Sequence, residues 1–167
     1  MKWRRGVLAV LASIIGSIGL AGCNPPEGTQ VHDFLYIASL SYPDFWIAHL
    51  DHSFSPSIYY QYNYMDWSTD FCSNSPNSDF NFDFTAPCAQ HDFGYRNIMR
   101  MDSAFPSTDY ADEGQRGNVD SHFYGEMMRN CGTQGLNRYY IPPSCDSIAL
   151  LYYTAVRNFG QGGFDNP

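Results

Sequence analysis

The cysteines constrain this chain most. There are five, Cys23, Cys72, Cys88, Cys131 and Cys145, in 167 residues, a length that suits one domain. With Cys23 set aside, on grounds given next, four remain, an even number suited to two disulfides in an oxidising compartment. Four cysteines allow three pairings. The sequence-local pairing, Cys72–Cys88 with Cys131–Cys145, closes two short loops and is the expected one. Each closure stabilises by about 3 kcal/mol on the chain-entropy argument.

Cys23 stands apart because of what precedes it. Lys2, Arg4 and Arg5 lead into an apolar run from Gly6 to Leu20, followed by Leu20-Ala21-Gly22-Cys23. A basic start, a short apolar segment and small residues before a cut mark an export signal. The run is too short and wrongly flanked for a stable transmembrane helix. Leu-Ala-Gly-Cys resembles the lipobox of bacterial lipoproteins, whose cysteine is lipidated and becomes the mature N-terminus; the plainer alternative is an ordinary signal peptide. The expected organisation is therefore a signal peptide over 1–22, a linker over 23–30 and one domain over 31–167. Without the signal, six basic residues face seventeen acidic ones, a net charge of −11. That balance excludes nucleic acid as a partner and disfavours electrostatic attraction to anionic lipid. It is compatible with calcium, which takes carboxylate and carbonyl oxygens.

The apolar spacing predicts helices and no strand alternation. Val31–His52 reads as two short helices, with Pro43 in the first turn of the second. Ile58–Met65 is tyrosine-rich, and periodicity leaves helix and extended chain equally open. Asp66–Pro87 is a long loop rich in Ser, Asn, Asp and Pro, a length that is usually functional. A helix is expected from Pro87 to Met101 with Thr85 as its cap. Gly94 in its middle costs about 1 kcal/mol against alanine and implies a close approach to the backbone. Asp102–Gly117 reads as loop, Asn118–Asn130 as helix, and Tyr139–Pro143 as extended. A last helix, capped by Ser144 or Asp146, runs to Phe159 and stops at Gly160. The class is all-α: a small disulfide-stabilised helical bundle.

Within it, Cys88-Ala89-Gln90-His91-Asp92-Phe93-Gly94-Tyr95 places a cysteine, a histidine, an aspartate and a tyrosine at i, i+3, i+4 and i+7 on one side of a helix. His91 is a candidate general base and Asp92 a candidate calcium ligand. A histidine base needs a group on its second ring nitrogen to fix the tautomer. Asp120 is the candidate, if its helix packs antiparallel to that of His91; a helix-start carboxylate favoured by the macrodipole is the competing reading. Further oxygens for a metal would come from Asp66-Trp67-Ser68-Thr69-Asp70-Phe71-Cys72. A Cys72–Cys88 bridge would carry this loop to the helix that bears Asp92. Asp70 could instead cap its own loop.

DWSTDFC, PCAQHDFGYRN, VDSHFYGEMMRNC and YYTAVRNFG resemble the secreted phospholipases A2 of bacteria and fungi, over Asp66 to Gly160. The resemblance implies a phospholipase A2-like fold with two antiparallel catalytic helices. It makes His91 the base and Asp120 its partner, and gives calcium the carboxylates of Asp70 and Asp92 with the backbone oxygen of Phe71. It implies two local disulfides and hydrolysis of the sn-2 ester of a phospholipid; the expected partner is a phospholipid membrane or micelle surface, and the expected state is a monomer. The 99–117 segment is long for that family. Two other readings remain at this level: an inactive calcium-dependent lipid-binding module on the same fold, and a His-Asp metal phosphohydrolase, which the signal and the cysteines disfavour.

Overall fold

The structure, a computed structural model, describes residues 24–72, 78–79, 82–134 and 143–162. Among the described residues five helices carry the fold: α1 (Glu27–Ala38), α2 (Tyr42–Asp51), α3 (Thr85–Ala104), α4 (Glu113–Gln134) and α5 (Cys145–Phe159). A 3-10 turn spans Tyr60–Tyr62. A two-stranded antiparallel ribbon, β1 (Ser78–Asp79) with β2 (Phe82–Asp83), interrupts the segment expected to be loop throughout. The stretch Tyr139–Pro143, expected to be extended, lies outside the described residues except for Pro143, and so does the signal with Cys23.

Several boundaries differ from expectation, each for a local reason. α1 begins at Glu27, inside the expected linker. The Pro26 carbonyl accepts from the N–H groups of Thr29 and Gln30, and a proline just ahead of the first turn has no N–H of its own to satisfy. α3 begins at Thr85, so Thr85 is not the cap; its own N–H is held by the Asp83 carboxylate at 2.8 Å. α4 begins five residues early. Asp112 accepts from the N–H of Gln115 at 2.7 Å and caps a helix that then runs through Gly114 and Gly117. The α2 start is satisfied from a distance, by Glu126 of α4, which accepts from the Tyr42 N–H at 2.8 Å. Ser144, as expected, caps α5.

Two apolar clusters divide the interior along α3. Phe34, Ile37, Phe45, Ala48, Trp67, Phe93 and Ile98 bring α1 and α2 onto one side of it. Phe84, Phe123, Met127, Ile148, Ala149 and Tyr152 join α4 and α5 on the other. The disulfides Cys72–Cys88 and Cys131–Cys145 both lie in this second cluster, and they are the pairs expected. Gln90–His122 and Gly94–Val119 contacts show that α3 and α4 run antiparallel. The approach at Gly94 is close: a Cβ there would stand 2.7 Å from a Val119 methyl, so the helices meet at a distance that only glycine permits.

Candidate active site

α3 presents His91 toward α4 and Asp92 toward the 66–72 loop, because consecutive helical residues point about 100° apart. His91 Nε2 lies 2.9 Å from Asp120 Oδ1. The imidazole is held between two rings, Tyr95 at 4.2 Å and Phe123 at 4.7 Å between centroids. Its side chain keeps 10% exposure, whereas Asp120 has none. With Nε2 turned to the carboxylate, that nitrogen carries the proton and Nδ1 is the acceptor. His91 lines a cavity of about 200 Å³, whose walls include Phe34, Leu35, Ile98, Val119 and Phe123.

Asp120 is held from several sides. Tyr95 donates its hydroxyl to Oδ1 at 2.6 Å. Arg157 of α5 reaches Oδ2 at 2.9 Å and Arg116, one turn before it on α4, at 3.4 Å. Burial pushes the Asp120 carboxyl up, but the hydrogen bonds from His91, Tyr95 and Arg157 outweigh it and hold the group below its ordinary value. Burial, and donation to Asp120, push the Tyr95 phenol well above its usual range, so it remains a donor. A macrodipole role alone for Asp120 does not account for these bonds.

On the other side, Asp92 Oδ2 accepts from Thr69 Oγ1 at 2.5 Å and from the Asp70 N–H at 3.1 Å. Thr69 Oγ1 in turn accepts from the Phe71 N–H at 2.8 Å. Phe71 has φ 59°, a left-handed conformation that a bulky residue adopts only under constraint, here between Thr69 and the Cys72–Cys88 bridge. Burial raises the Asp92 carboxyl to about 6, against the lowering by Thr69 and His91. The Asp70 carboxylate pairs with Arg96 at 3.0 Å, and Arg96 also reaches Ser68 at 3.1 Å.

The structure thus joins His91 to Asp120, and Asp92 to the loop that holds Asp70 and Phe71. Among the described residues no cluster of three or more His, Cys, Asp or Glu stands ready as a metal site. The oxygens around Asp92 are nevertheless the hard donors that calcium takes, and a buried carboxylate with a raised pKa is one that a cation would relieve. His49 and His52 stack on Trp46 and Trp67 and serve packing. Sequence reasoning missed Arg116, Arg157 and the Arg96–Asp70 pair. For Arg116 a signal existed: Asp112-x-x-Gln115 is a helix-start pattern that would have placed Arg116 one turn before Asp120.

Fold and site together define a disulfide-held all-α protein, with a His–Asp pair on two antiparallel helices and an oxygen-rich loop beside it. The chain belongs to the prokaryotic phospholipase A2 family, whose model matches residues 32–160. It is similar to a secretory phospholipase A2 of Beauveria bassiana, 35% identical over 96 residues, which cover 58% of this chain and 44% of that protein. It is similar also to a secretory phospholipase A2 of Arthroderma benhamiae, 34% identical over 97 residues, 58% of this chain and 61% of that one. The chain spans about half the length of these curated relatives.

Proposed function

We propose that this protein is a calcium-dependent phospholipase A2 that hydrolyses the sn-2 ester of phospholipids, releasing fatty acid and lysophospholipid. The observation that carries the reading is the His91–Asp120 pair at the wall of an apolar cavity. His91 Nδ1 takes a proton from a water, which attacks the ester carbonyl; the same nitrogen then returns a proton to the leaving alcohol. Asp120 and Tyr95 keep the ring in the tautomer that leaves Nδ1 basic. The cavity wall of Phe34, Leu35, Ile98 and Val119 accepts an acyl chain and thins the water around the ester. Asp92, Asp70 and the Phe71 carbonyl would hold calcium. When bound, the ion supplies charge for the substrate phosphate and for the developing oxyanion. No covalent acyl intermediate is required, and the chain has no Gly-x-Ser-x-Gly elbow.

The test is fatty-acid release from phospholipid vesicles labelled at the sn-2 chain, with calcium and with chelator, for wild type and His91→Gln. Calcium-dependent sn-2 release that His91→Gln abolishes supports the reading. Release that ignores the chelator removes the metal from it. Calcium-dependent vesicle binding without release would instead fit a lipid-binding module.

We also propose export, with a lipid anchor on Cys23 that leaves a monomer working at a phospholipid surface. What supports the anchor is the lipobox-like Leu20-Ala21-Gly22-Cys23; among the described residues no helix is long and apolar enough to cross a membrane. Cys23→Ser should move the protein from the membrane to the soluble fraction; an unchanged distribution would refute the anchor.

A further inference from the structure

Fixing a histidine tautomer requires one oxygen of a carboxylate, and Asp120 gives Oδ1 to that task. Its second oxygen is occupied as well, by two guanidinium groups from two helices. Those guanidiniums meet again on Glu113. Arg116 reaches it at 2.7 and 2.8 Å and Arg157 at 2.6 Å. Two carboxylates and two arginines thus form a closed, charge-neutral group beside the His91 imidazole. Arg116 also donates to the carbonyl of Val156, so the last turn of α5 is fastened to the first turns of α4.

A fully buried carboxylate without positive partners is costly, and it would take up a proton or turn toward water. Either change removes the acceptor from His91 Nε2. Occupying Oδ2 prevents both: it keeps Asp120 charged and fixes its plane so that Oδ1 stays on His91. Glu113, with a side chain 59% exposed, balances the second arginine, so Asp120 is not drawn wholly into the guanidinium cluster.

We propose that Arg116 and Arg157 are positioning residues of the dyad. They act through Asp120 Oδ2 to hold Asp120 Oδ1 on His91 Nε2, and through them α5 takes part in the reaction without touching substrate. The inference rests on the reading of His91 as base.

Arg157 is the position to test, since its side chain is 30% exposed and its loss leaves no cavity, whereas Arg116 is 6% exposed. Two measurements on the purified protein are needed. One is the exchange with water of the His91 Nε2 proton, seen by proton NMR and assigned by its absence in His91→Gln. The other is kcat and KM on a labelled phospholipid. Arg157→Met should speed the exchange and lower kcat, each about tenfold, with KM unchanged, as for loss of other partners that orient a histidine. Arg157→Lys, which keeps a donor and the charge, should recover most of both. Wild-type exchange and kcat in a folded Arg157→Met overturn the proposal. So does a fall in melting temperature and kcat that Arg157→Lys does not repair, which marks support of the fold. If His91→Gln hydrolyses as well as wild type, the base reading fails, and the proton exchange still decides whether the clamp holds the ring.

Discussion

Gly94→Ala is the sharpest test of how the site is built, because its effects on stability and on rate should diverge. The new Cβ would sit 2.7 Å from Val119 Cγ1 and 3.1 Å from Cγ2, against an ordinary contact that begins near 3.4 Å. Relief needs about 0.7 Å of movement between α3 and α4. The His91–Asp120 bond crosses the same interface one turn away, at 2.9 Å. A displacement of that size along its axis would lengthen it to about 3.6 Å, where it ceases to be a hydrogen bond. Overpacking costs about 1–3 kcal/mol. Alanine returns about 1 kcal/mol of helix propensity. The net loss of stability should therefore be about 2 kcal/mol at most, whereas kcat/KM on labelled phospholipid should fall about 100-fold, as expected for a misplacement approaching 1 Å. Val119→Ala removes both methyl groups, so the double variant should regain most of the activity. Chemical denaturation would be measured on the same samples. Wild-type kcat/KM in Gly94→Ala, or no recovery in the double variant, would refute the claim that this contact sets the dyad distance.

Three further outcomes follow from the site. Asp120→Asn keeps the shape but favours the wrong imidazole tautomer, and should lower kcat by about 10⁴ in the same assay; because the Asp120 carboxyl lies below its ordinary value, its contribution to stability is present above about pH 4 and lost as pH falls through the lowered value, so the stability gap to the variant should narrow on acidification. Replacing Cys72 and Cys88 by alanine should cost about 2–5 kcal/mol by denaturant titration and weaken calcium binding, since the bridge holds the loop against Asp92; calorimetry that finds unchanged affinity would separate the loop from the metal. Arg96→Gln removes a cation from Asp70 and should tighten calcium binding about fivefold, roughly the 1 kcal/mol of a screened surface charge; weaker binding in calorimetry would mean that Arg96 orients Asp70 rather than competing for it.

The sequence showed most where residue type alone limits the options. With Cys23 set aside, four cysteines left three pairings, and the short loops favoured the pair of bridges found. Spacing alone gathered Cys88, His91, Asp92 and Tyr95 within two turns of α3, although it did not show that His91 and Tyr95 turn to α4 while Asp92 turns to the 66–72 loop; Gly94 in mid-helix foretold the contact with Val119. Less was visible where tertiary structure outvotes local preference. Gly114 and Gly117 weaken the first turns of α4, which the Asp112 cap and the ion pairs of Arg116 with Glu113 and Asp120 support. Arg116 and Arg157 lie far apart in sequence and carry a residue type that usually faces water, so nothing local assigns them to Asp120. Asp70 was readable as a loop acid but not as the partner of Arg96, since pairing across 26 residues depends on how the loop folds back. The start of α1 was hidden by Pro25-Pro26, which read as linker and serve as a helix entrance.

What these features share is α3. Because His91 and Asp92 are neighbours on one helix, a single rigid element must satisfy two surroundings at once: α4 on the side of the base, and the 66–72 loop on the side of the carboxylate. Each is fastened to α3 within a turn or two of the pair, by the Gly94–Val119 contact in one direction and by the Cys72–Cys88 bridge in the other. Apolar burial holds α3 through two clusters, one with α1 and α2 and one with α4 and α5. The disulfide and the glycine therefore do different jobs. One limits how far the loop can move from Asp92, and the other limits how far α4 can stand from His91. Damage to the bridge should then appear first in metal affinity, and damage at Gly94 first in turnover, even though the two positions are six residues apart on the same helix.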